Sequence, residues 1–145
     1  MACLIGVGRE RYGDEGAGPA VARILAAELA DSVRVAECDG DPATILAVWK
    51  GCVHAVVVCA TQSGAPAGTI RRVAAHAGPL GAPYPQGIVD AVELARARGR
   101  LPDRTIVYGI EGATFSAGAE LSPASAAAAE RVAVAIRREL ETETG

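Results

Sequence analysis

Aromatic residues are nearly missing from this chain: they make up 3% of its 145 residues, with one Trp, one Phe and three Tyr. A core must then be built from Ala, Val, Leu and Ile, which suits helices packed on a β-sheet, and half of the residues are hydrophobic. An excess of positive charge is missing too. The net charge is −3 with acids and bases mixed along the chain, and without a basic stripe no nucleic acid is expected as a partner. No apolar run exceeds the length of a strand, so no membrane association is expected. The opening Met1-Ala2-Cys3-Leu4-Ile5-Gly6 lacks the basic start and long apolar stretch of an export signal, which points to a cytoplasmic protein. The four cysteines, Cys3, Cys38, Cys52 and Cys59, show no CxxC spacing. That excludes a zinc ribbon and a thioredoxin-type motif, and reduced thiols are expected.

What is present reads as one α/β domain spanning residues 1–145. Ala2 to Val7 is a short apolar strand, and a polar loop with glycines leads to a helix from Ala17 to Ala30, with Val21, Leu25 and Leu29 at helical spacing. Ser32 to Glu37 alternates as a second strand, and Asp41 caps a second helix through Trp49. Val53 to Cys59 is almost continuously apolar, as a central parallel strand should be. Thr69 to Ala74 reads as a short edge strand, Gln86 to Arg98 as a third helix and Arg104 to Ile110 as another buried strand. Ser122 caps a last helix that runs to about Leu140, followed by a polar tail. The alternation predicts a parallel sheet with helices on both faces.

In such folds ligands bind beyond the carboxyl ends of the strands. The loop from Gly6 to Gly18 contains Asp14-Glu15 just before a helix. Its glycines allow a nucleotide reading, but GxGxxG is absent and the carboxylates would repel a pyrophosphate. The plainer alternative is that both acids only favour the helix start. Further loops bring Asp39, Cys59 and Glu111, so acidic or soft donors gather from separate strands and suit a metal or a polar peptide.

The order Gly6-x-Gly8-(five residues)-Asp14-Glu15-Gly16-x-Gly18, Asp39-Gly40, Ser63-Gly64-x-Pro66-x-Gly68-Thr69, Gly87-Ile88-x-Asp90-Ala91, Gly109-Ile110-Glu111 and Glu120-Leu121-Ser122-Pro123 resembles the nickel–iron hydrogenase maturation endopeptidases, nearly end to end. The resemblance implies a single α/β domain of the phosphorylase/hydrolase-like kind, with a twisted, mostly parallel five-stranded sheet. It implies a monomer whose partner is a hydrogenase large-subunit precursor, from which a C-terminal extension is clipped after metal loading. It also implies recognition of nickel in that precursor, or of a divalent metal, through three protein ligands.

Carried over, the ligand positions fall on Glu15, on Cys59 where the family has aspartate, and on Tyr84 where it has histidine; Arg9 stands where an asparagine is usual. Glu15 and Cys59 are thus the metal candidates, and Asp14, Asp39 and Tyr84 the substrate-binding candidates. Two readings stay open for Cys59: a replacement soft ligand, or an inert residue at a strand end. Tyr84 stands between Pro83 and Pro85 as a rigid aromatic that would line a peptide cleft. Of the two histidines, His54 is expected on the surface at the strand end away from the site. His76 is expected in a loop, either solvated or swung into the vacant histidine position. Three functions follow: an active endopeptidase with a remodelled site, a precursor-binding assembly factor, or a scaffold recruited to other chemistry.

Overall fold

The central strands bury both faces, and each face has its own core. In the computed structural model, residues 1–29 and 31–144 are described. β1 (Ala2–Val7), β2 (Val33–Cys38), β3 (His54–Thr61), β4 (Ile70–Ala74) and β5 (Arg104–Glu111) form one sheet in the order β2-β1-β3-β5-β4. All neighbours run parallel except β4, which lies antiparallel on the edge against β5. Side chains alternate across a strand. Ile5, Val57 and Cys59 accordingly face α2 (Pro42–Trp49) and α3 (Gln86–Ala97), where they meet Ile45, Ile88 and Val92. Leu4, Val56 and Val58 face the other way, toward α1 (Ala17–Leu29) and α4 (Pro123–Thr144), where Val21, Leu25, Val132 and Ile136 close the second core. This is the expected three-layer α/β architecture with its five-stranded, mostly parallel sheet.

Boundaries shift where the sequence turns polar before the ladder ends. β3 continues to Thr61 and β5 to Glu111, because the pairing runs on through Ala60↔Ile110 and Thr61↔Glu111. α4 continues to Thr144, beyond the expected end at Leu140. The expected last residue of α1, Ala30, lies outside the described residues. Two caps are formed as the sequence indicates. Asp41 accepts from Ala43 N at 3.2 Å with Pro42 opening α2, and Ser122 Oγ accepts from Ser125 N at 3.3 Å.

His54 corrects an expectation. It is fully buried rather than on the surface, because its strand is central and its backbone pairs with Ala2 on one side and Arg104 on the other.

Candidate functional site

The carboxyl ends of β1, β2 and β3 open onto a cleft of about 340 Å3, with Glu15, Asp39 and Gln62 on its polar side and Pro83, Pro85 and Phe115 on its apolar side. Glycine makes the walls possible. A Cβ on Gly87 would lie 1.8 Å from the carbonyl oxygen of Gly40, so only glycine lets the start of α3 touch the loop that carries Asp39. Likewise a Cβ on Gly18 would meet the carbonyl oxygens of Val58 and Val7 at 2.4 and 2.5 Å, so α1 rides directly on the sheet.

The adjacent acids of the first loop point to different tasks. The 3-10 turn at Gly13–Gly16 leaves Glu15 half-buried in the cleft wall. Arg9 holds both of its oxygens, Nε at 2.8 Å and Nη2 at 3.0 Å, while the guanidinium also lies over the Tyr12 ring at 4.0 Å. The cation therefore balances Glu15 without removing it from the cleft. Asp14 turns inward and is fully buried. It accepts from Ala113 N at 2.6 Å, Thr114 N at 3.3 Å, Ser122 N at 2.7 Å and Ser122 Oγ at 2.8 Å. Burial alone would raise its pKa, but the bonds from Ala113, Ser122 and Thr114 outweigh it and hold the carboxyl below its ordinary value.

Glu111 repeats that arrangement for the loop after β3. It is 2% exposed and accepts from Thr61 Oγ1 at 3.0 Å, Ser63 N at 2.8 Å, Ser63 Oγ at 2.7 Å and Gly64 N at 3.2 Å. Burial again pushes its pKa up, and the bonds from Ser63, Thr61 and Gly64 bring it below the usual glutamate value. Asp39 is exposed at the cleft, with Oδ1 accepting from Asp41 N at 3.3 Å.

The positions named in the sequence therefore separate. Glu15 and Asp39 meet at the cleft, whereas Asp14 and Glu111 anchor the loops around it. Cys59 and Tyr84 belong to the core between the sheet and α2 and α3. Pro83 and Pro85 face the cleft, but Tyr84 between them packs over Gly109, where an added Cβ would come within 3.1 Å of its ring. Phe115, the sole phenylalanine, lines the cleft from the loop after β5 and was not singled out by its sequence context. His76 is not at this end of the sheet. Its Nδ1 accepts from Thr105 N at 3.0 Å beside the start of β5, because antiparallel β4 carries the chain back to the far end before the histidine is reached.

A resident divalent ion finds no fitting donor set at Glu15, Cys59 and Tyr84. The Cys59 thiol is fully buried and donates to the Tyr108 carbonyl at 3.5 Å. Burial pushes its pKa up to about 12, so a thiolate is not at hand near neutral pH. Burial also raises the Tyr84 phenol, with Cys59 adding to the shift and Arg71 opposing it. Among the described residues, no group of three or more His, Cys, Asp or Glu side chains is placed to hold a metal ion.

Solved structures share this architecture over nearly the whole chain. The hydrogenase maturating endopeptidase HybD from E. coli is 22% identical, with a TM-score of 0.76 over 96% of this chain and 93% of its own. The nickel–iron hydrogenase maturation protease HybD from Thermococcus kodakarensis is 24% identical, with a TM-score of 0.78 over 97% and 98%. A solution structure of an endopeptidase from E. coli is 22% identical, with a TM-score of 0.79 over 96% and 94%. This chain has the fold of those hydrogenase maturation endopeptidases. No protein-family model matches it, nor does any curated protein sequence. No helix among the described residues is long and apolar enough to cross a membrane.

Proposed function

We propose that this chain acts on the large-subunit precursor of a nickel–iron hydrogenase, taking the precursor's C-terminal segment into the cleft between Glu15, Asp39 and Phe115 and cleaving the extension. The cleft itself carries the reading. Two carboxylates offer acceptors to the N–H groups of an extended peptide, and Pro83, Pro85 and Phe115 offer it an apolar wall. Asp14 pins the loops that carry Glu15 and Phe115, and Glu111 the loop that carries Gln62, so these parts of the cleft are formed before a peptide arrives. A fold shared over nearly full length with maturation endopeptidases supports this choice of substrate class.

A second reading, a precursor-binding assembly factor that does not cut, is favoured by one observation: Cys59 and Tyr84 stand buried in the core where the resemblance would put metal ligands. Nickel belongs to the precursor in both readings, as part of the substrate. Incubating the chain with a nickel-loaded precursor that carries its extension separates them by intact mass. Shortening supports the endopeptidase, and a stable complex of unchanged mass supports the assembly factor. Neither shortening nor a complex would remove the precursor as the substrate class.

A further inference from the structure

At the end of the sheet away from the cleft, α2 and α3 finish side by side around a cavity of about 510 Å3. We propose that this cavity binds a small phosphomonoester carrying an apolar body, independently of the precursor reading.

Three cations, Lys50, Arg98 and Arg100, line the cavity together with apolar Leu46, Trp49 and Ala95, and no acid does. Cations at helix C-termini commonly serve the last carbonyls. Here those carbonyls already have donors. Val48 O and Lys50 O accept from Arg34 Nη1 at 2.7 and 2.9 Å, and Trp49 O accepts from Cys52 N at 2.9 Å. On α3, Leu94 O accepts from Arg98 N at 3.2 Å, Ala95 O from Arg100 N at 2.8 Å, and Arg96 O from Gly99 N at 3.1 Å. The side-chain charges of Lys50, Arg98 and Arg100 are left over, with no hydrogen bond or ion pair among the described residues.

Trp49 adds a second, separate sign. It is 3% exposed, and its indole N–H has no acceptor among the described residues, although buried donors are nearly always paired. The mouth is open at Gly51, where an added Cβ would meet nothing within 4 Å.

Charge and volume select the ligand class. A carboxylate would leave most of the positive charge unmatched, whereas a phosphomonoester carries about −1.5 to −2 at neutral pH and takes guanidinium groups in pairs. The apolar side formed by Leu46, Trp49 and Ala95 accounts for a hydrophobic body on the same molecule, and the volume falls within the range of about 300–1,000 Å3 typical of small-molecule sites.

Phenyl phosphate is the probe, titrated into the full chain by calorimetry. Fluorescence of Trp49, the only tryptophan, is read in parallel. The expected result is saturable binding at one site, weakened about tenfold or more in Arg98→Gln/Arg100→Gln. Inorganic phosphate is expected to bind more weakly and benzyl alcohol not at all. Raising the salt should weaken phenyl phosphate binding to the unmodified protein, a check that needs no variant. The proposal is overturned by absence of saturable binding, by an affinity indifferent to both salt and the double substitution, or by equal affinity for inorganic phosphate.

Discussion

Asp14 and Ser122 lie 108 positions apart, yet two hydrogen bonds join them, from Ser122 N to Oδ1 at 2.7 Å and from Ser122 Oγ to Oδ2 at 2.8 Å. Together with the bonds from Ala113 and Thr114, they fix the first loop, the loop after β5 and the start of α4 as one unit. Glu15, next in sequence, owes its place in the cleft wall to that anchor.

Replacing Asp14 with Ala should therefore destabilise the fold well beyond a typical surface change. It strands the N–H groups of Ala113, Thr114 and Ser122, whose hydrogen bonds to Asp14 are partly buried. A loss on the order of 3 kcal/mol or more is expected, since one unsatisfied group costs about 1–3 kcal/mol. Urea unfolding measures it, and a loss below about 1 kcal/mol would show that the anchor is dispensable.

Acid should weaken the fold for a related reason. Asp14 and Glu111 both have pKa values held below their ordinary ones. A depressed folded pKa contributes stability above the unfolded value, about 4 for these acids, and that contribution disappears as pH falls through the folded pKa. Melting temperature should thus drop as the pH is lowered below about 4. Glu111→Gln should flatten the drop. An unchanged acid profile in that variant would separate Glu111 from the effect.

Cys59 should behave as core rather than as a reactive thiol. It is fully buried and its pKa is raised to about 12, while Cys38 at the end of β2 is only half-buried. Alkylation of the native protein followed by peptide mapping should find Cys38 modified first, and Cys59 last together with the equally buried Cys3. Early modification of Cys59 would mean that the core between the sheet and α3 opens readily.

Much of this fold could be read directly from the chain. The apolar run before Cys59 marked the central strand, and Asp41 and Ser122 announced their helices through capping chemistry. The site was harder. That Glu15 and Asp39 line the cleft was legible because acids beside glycines at strand ends are presented there by the loops that carry them. Asp14 looks identical to Glu15 in sequence, and only the loop 99 positions away, where Ala113 meets its carboxylate, turns it inward. Tyr84 was misleading in the same manner: its flanking prolines face the cleft, and the ring goes to the core because Gly109 leaves room for it. The direction of an antiparallel edge strand, which carries His76 to the far end, depends on pairing that no local pattern encodes.

Gly87→Ala should loosen the cleft without touching its polar groups. The added methyl would sit 1.8 Å from Gly40 O, so α3 and the Asp39 loop must part. Overpacking of this kind costs about 1–3 kcal/mol, and precursor affinity should fall with it. Thermal unfolding and calorimetry test the pair of effects, and an unchanged melting temperature would contradict the contact.

The cleft account is tested most directly by calorimetry with the precursor large subunit, with and without its C-terminal extension, against the unmodified chain and Glu15→Gln. The account predicts binding that requires the extension and falls about tenfold or more in Glu15→Gln, with the melting temperature unchanged. Equal affinity for both precursor forms, or full affinity in Glu15→Gln, would contradict it.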